Sequence, residues 1–180
     1  MLAFWSCSSE PVSPKPYAFH RIQLPERDYV RLNTDCPFSF ELPGFVKVSS
    51  PPNAEHPCWM NLEYHEIKAT IHLSYKPIAS KTELGRYIDD SQRMTFKHTI
   101  KASSIEEIPI HHQGKRLYGL FYRVGGNAAS NSQFYITDST RHFVRGAMYF
   151  MAEPRADSLA PVIDYMLDDV MRIVESFQWE

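Results

Sequence analysis

Three residues of "TDSTRH", Asp138, Ser139 and His142, are the types that make up a nucleophilic triad. A serine nucleophile needs a sharp elbow such as G-x-S-x-G, and a base oriented by a third group. Close neighbours on one short turn do not supply that geometry, and turn chemistry, in which Asp and Ser side chains bond nearby backbone, accounts for them. A second stretch with chemical promise is "RVGGNAASNSQFY", Arg123 to Tyr135, with two adjacent glycines in a chain that holds seven. A phosphate cradle requires a helix directly after its glycines, so that free N–H groups and the helix dipole face the anion. Here Phe134 and Ile136 alternate with Gln133, Tyr135 and Thr137, which is a strand pattern. Gly125 and Gly126 are therefore expected at positive φ in a wide hairpin tip, closed by side-chain-to-backbone bonds from Asn127 and Asn131. The same tip is a candidate interaction loop, because functional contacts concentrate on such tips.

The eight histidines are dispersed. His111 and His112 are adjacent and would point to opposite faces of a strand. His65 and His72 could meet across a hairpin, but two ligands do not make a zinc site, and no metal or cofactor is expected. Cysteines occur at positions 7, 36 and 58, without the close pairs typical of zinc ligands. In an oxidising compartment, Cys36 and Cys58 could close a loop of about 22 residues, a contribution of about 3 kcal/mol. In a reducing one they would be two buried thiols.

Positioning these residues is the task of a chain of 180 residues, long enough for one domain with a real core. Net charge is −2 with no basic stripe, so nucleic acid is not an expected partner. No apolar run approaches the roughly 20 residues a membrane-spanning helix needs. The start, "MLAFWSCSSEPVSPKPY", joins an apolar stub and a cysteine to a Ser/Pro segment unsuited to helix or sheet. It reads either as the end of a lipoprotein signal, with Cys7 acylated and the following residues as a tether, or as a disordered end containing a cysteine. Residues 1–16 are assigned to this tail and 17–180 to a single domain.

Short extended runs follow: Phe19 to Leu24, Phe38 to Leu42, Phe45 to Val48, Trp59 to Tyr64 and Ala69 to Tyr75, with "LPGF" as a tight turn. In the stretch from Ser80, Leu84, Tyr87, Ile88, Ser91, Met94, Thr95 and His98 recur at helical spacing, with Thr82 as the expected N-cap. Four more strands, Ser104 to Ile110, Arg116 to Val124, Gln133 to Asp138 and His142 to Met151, have short links and should form antiparallel hairpins. From Leu159 to Phe177 apolar residues keep a helical stripe, with Pro161 in the first turn and Asp157 or Ser158 as cap. The pattern predicts an α+β fold, an antiparallel sheet flanked by two amphipathic helices.

"DCPFSFELPGF", "ATIHLSYKPI", "YGLFYRVGGNAASNSQFYITDSTRHFVRGAMYF" and "DSLAPVIDYMLDDVMRIVESFQW" together resemble the gliding motility-associated lipoprotein family GldD, over about Pro16 to Glu180. The resemblance implies an accessory protein, not an enzyme, anchored on the periplasmic side of the cell envelope. It also implies other proteins of the gliding and type IX secretion apparatus as partners, and membrane contact through the lipid alone. It favours acylation of Cys7, and export in turn favours a Cys36–Cys58 disulfide. In pattern, the order of strands and helices is similar to the Mog1/PsbP-like architecture, an α/β/α sandwich. A different class of function remains beside it: a small-molecule-binding module or hydrolase using the sheet and the 125–132 loop. A third, a cytosolic partner of the Mog1 type, would be unacylated with reduced cysteines.

Overall fold

The alternation along "ATIHLSYKP" places one apolar and one polar edge on a single strand, and that strand organises the molecule. The structure is a computed structural model, and it describes residues 23–97, 102–151 and 156–180. In chain order the elements are β1 (Tyr29–Leu32), β2 (Phe38–Pro43), β3 (Lys47–Ser49), β4 (Met60–Tyr64), β5 (Ala69–Pro77), α1 (Lys81–Lys97), β6 (Ala102–His112), β7 (Leu117–Gly126), β8 (Ser132–Thr137), β9 (His142–Phe150), α2 (Ala156–Ser176) and β10 (Gln178–Trp179). A single 3-10 turn, Gln113–Lys115, links β6 to β7.

Seven strands form one antiparallel sheet in the order β3-β4-β5-β9-β8-β7-β6, and β1-β2-β10 form a smaller one. Each face of the large sheet is covered by one helix. Phe121, Phe134, Ile136, Val144 and Met148 face α2, where they share a core with Met166, Val170 and Ile173 and with Phe38 and Phe40 of β2. The opposite alternation, Tyr122, Tyr135 and Phe143, faces α1 and its Leu84, Tyr87 and Ile88. This is the expected α+β sandwich, with a sheet whose strands have two dry faces near the centre. Gly146 is required where β8 and β9 cross-pair, because a Cβ there would lie 2.2 Å from the Phe134 ring.

Several boundaries differ from the sequence reading. Tyr29–Leu32 is a strand the pattern did not reveal, since it is short, half exposed and exists only through its pairing with β2. The run from Phe45 begins its pairing at Lys47, because Val46 N–H closes a turn onto the Pro43 carbonyl at 3.0 Å. The cap of α1 is Ser80, not Thr82. Its Oγ accepts from Glu83 N–H at 3.2 Å while the Glu83 carboxylate accepts from Ala79 N–H at 2.7 Å, a near relative of the capping box. Met94, one of the residues at helical spacing in that helix, is 44% exposed. Pro161 lies in the second turn of α2, which begins at Ala156. Phe177 is fully buried but past the helix end, and the chain then turns into β10 against β2. Residues 19–22 of the first expected strand, His98 and the side chains of Asp157 and Ser158 lie outside the described residues; Gln23 and Leu24 belong to no strand.

Candidate functional site

At the β8–β9 turn Asp138 is buried and accepts bonds from Thr140, Arg141 and His142 N–H at 2.9, 2.7 and 2.8 Å and from the Thr140 hydroxyl at 2.8 Å. Burial works to raise its pKa, but these donors prevail and hold it at about 2. The carboxylate is spent on the turn. Ser139 is exposed at φ 67°, and His142 bonds the Tyr75 hydroxyl at 2.8 Å and stacks on Trp179. Asp138, Ser139 and His142 thus form no relay, and the reason is the one turn chemistry supplies.

The 125–132 hairpin tip is largely turned inward. Gly126 takes the expected positive φ, 84°, but Gly125 does not; a Cβ on Gly125 would instead lie 2.4 Å from Ser104 Oγ of the neighbouring strand. Asn131 is buried and its Nδ2 donates to the carbonyls of Val124 (3.0 Å) and Gly126 (3.3 Å). Asn127 and Ala129 face solvent, whereas Ala128 and Ser130 are buried. The surface this loop offers a partner is small.

The histidines do not converge. His65 sits in the β4–β5 turn beside Glu63 at 3.3 Å, whereas His72 pairs across strands with Asn61, ring nitrogen to amide oxygen 2.7 Å. Burial lowers the His72 pKa. His112 Nδ1 accepts from Lys115 N–H, and His111 packs edge-on against Tyr118. Among the described residues no group of three His, Cys, Asp or Glu is placed to hold a metal ion. His72 and His142 lie on opposite faces of the sheet, as the alternation of β5 and β9 requires.

Cys36 and Cys58 are joined in a disulfide with Cα atoms 5.6 Å apart, linking the turn before β2 to the segment before β4. Cys7 lies outside the described residues.

Two features escaped the sequence reading. The first is a buried polar knot on α2: Asp169 is wholly buried, accepts from the Tyr29 hydroxyl at 2.7 Å and lies 2.9 Å from Arg27 Nε. Burial raises the Asp169 pKa. Arg27 also donates to the Tyr165 carbonyl at 2.6 Å and lies over the Tyr165 ring, and Tyr165 donates to the Pro25 carbonyl at 2.9 Å. The knot fastens the segment entering the domain to α2. The second is a groove of about 530 Å³ beside α1, over the face of β4, β5 and β9 that the helix leaves uncovered. None of residues 125–132 lines it. A visible signal existed: in "HFVRGAMYF" Arg145 falls on the same side as Phe143 and Ala147, a charge on a face that otherwise reads as core.

A family profile described as "Gliding motility lipoprotein GldD" matches residues 9–179. The chain belongs to this family. Its members are gliding-motility lipoproteins, which accords with a membrane-anchored place in the cell envelope. No curated protein matches the chain. Among solved structures it is similar to the solution structure of cyanobacterial PsbP from Synechocystis sp. PCC 6803, at 16% identity and a TM-score of 0.49, covering 93% of this chain and 100% of that one.

Proposed function

We propose that the protein is a non-catalytic accessory component of the gliding motility and type IX secretion machinery, held by a lipid on Cys7 at the periplasmic side of the envelope. It acts through contacts with other proteins of that apparatus. In this reading residues 1–16 are signal remnant and tether, and 17–180 are the working domain. The family match across residues 9–179 carries the proposal. Two observations support it. Asp138 and His142 are engaged in fold-forming bonds while Ser139 lies exposed on the turn, and a Cys36–Cys58 disulfide suits an oxidising compartment. Because Arg27 and Asp169 hold the entering segment on α2, the opposite face, with α1 and the groove, is the one left toward partners. Asn127 of the 125–132 tip adds a smaller candidate contact.

The test is incorporation of labelled fatty acid into the natural full-length chain in its own membranes, compared with Cys7→Ser. The wild type takes up label and sediments with membrane, and the variant does neither. An unlabelled wild-type chain would remove the anchored reading. Affinity capture with the 125–132 tip shortened then reports on the loop: an unchanged set of partners would exclude it as the contact.

A further inference from the structure

The groove beside α1 has a composition that neither anchoring nor folding explains. Its volume of about 530 Å³ falls within the range of small-ligand sites. Much of its wall is apolar: Trp59, Leu73, Tyr87, Met94 and Phe143 line it. The Trp59 ring is fixed by its Nε1, which donates to the Tyr75 carbonyl at 2.8 Å.

Its charges do not balance. Asp90 is the one carboxylate among the lining residues, and it is bonded to Arg93. Against it stand Lys76 and Arg145, while His72, whose pKa burial lowers, adds no fixed charge. Lys76 Nζ lies over the Tyr87 ring at 4.8 Å. Arg145 donates to the amide oxygen of Gln133 and bonds the Tyr149 hydroxyl, both neutral, and among the described residues no carboxylate pairs with it. Burial pushes its pKa down. A guanidinium nevertheless keeps its proton, so this is a partly desolvated charge without a counter-charge among the described residues. Such an arrangement costs stability unless an anion offsets it.

We infer that this groove binds a small amphiphilic carboxylate, its carboxylate on Arg145 and its apolar body against Trp59, Tyr87, Met94 and Phe143. The planar fork of a guanidinium matches a carboxylate. A largely apolar wall suits a monoanion with a hydrocarbon or aromatic body better than a multiply charged ion. This binding is independent of the anchor: loss of Cys7 acylation leaves it intact.

The experiment is calorimetric titration of the full chain with 4-phenylbutyrate, its neutral amide and inorganic phosphate. The acid is expected to bind at least about tenfold more tightly than the amide, the scale of one charge-assisted hydrogen bond, with no measurable phosphate binding. Arg145→Gln should abolish the preference for the acid. Ser74→Glu should abolish it too, because Ser74 sits opposite Arg145 across β5 and β9 and brings an internal carboxylate. Melting curves establish that each variant is folded. Equal binding of acid and amide, no binding of the acid, or acid binding unchanged in a folded variant would overturn the inference. So would a peptide with a C-terminal Phe carboxylate binding where 4-phenylbutyrate does not. The comparison of acid and amide on the wild type decides the matter even if both variants fail to fold.

Discussion

Reducing the Cys36–Cys58 bond without changing a side chain isolates what that bond contributes. Both cysteines are held by local bonds that do not involve sulfur: Cys36 N–H donates to Thr34 Oγ1 at 3.2 Å and Cys58 N–H to His56 Nδ1 at 3.1 Å. Cys58 is also buried in the main core. The native arrangement therefore persists on reduction, and the effect falls on the unfolded chain, which regains the freedom of the opened loop. For a sequence separation of 22 residues the loop-closure relation gives about 3 kcal/mol at 25 °C. In a chain of this size that corresponds to a drop in melting temperature of about 6–12 °C. The assay is a pair of calorimetric melts, one of unreduced protein and one kept in a phosphine reductant. It is accompanied by thiol titration of the denatured, unreduced chain. Free thiols at both Cys36 and Cys58 in the unreduced sample would refute the bond, and a shift under about 2 °C would refute the loop-entropy account of it.

Removing the carboxylate of the buried knot by Asp169→Ala should destabilise the domain by about 2–4 kcal/mol, because it takes the acceptor from the Tyr29 hydroxyl and leaves Arg27 only the exposed Asp168 carboxylate at 3.2 Å as counter-charge. Urea unfolding measures it, and a loss below about 1 kcal/mol would show the knot to be dispensable. Asp138 predicts an acid dependence. Its folded pKa of about 2 lies below the unfolded value near 3.9, so the stabilisation is present above about pH 4 and disappears as pH falls toward 2. The difference in stability between wild type and Asp138→Asn should shrink by about 2 kcal/mol across that window, and a pH-independent difference would contradict the bonding described for the turn.

Legibility varied with how local each determinant was. The alternation in Ala69–Pro77 and the stripe of α2 were plain because one face of each element packs on a core, and periodicity records exactly that burial. For the Gly-rich stretch, the strand residues that follow it ruled out a phosphate cradle, and Asn131 closes the tip by the type of bond anticipated. By contrast, β1 and β10 carry little local pattern. Each is a short segment whose extended form depends on β2 lying beside it, and Trp179 is reached only after the helix ends. The cap of α1 went to Ser80 because β5 ends at Pro77 and the helix begins at Lys81, a start that propensity alone does not specify.

What the sequence determined by itself is the family, the two helices, most of the strands and the absence of triad geometry in "TDSTRH". These rest on periodicity, on turn residues and on long ordered motifs, all readable from neighbours in the chain. The tertiary structure alone decided which distant residues meet. It set Arg27 against Asp169 and put Arg145 in a groove with Trp59, Tyr87 and Phe143, whereas the Cys36–Cys58 pairing is already expected from the resemblance. The physical reason is that ion pairing, desolvation and the shape of a cavity depend on separations in space, and strand order β5-β9-β8 is what turns positions seventy residues apart into opposite members of a pair.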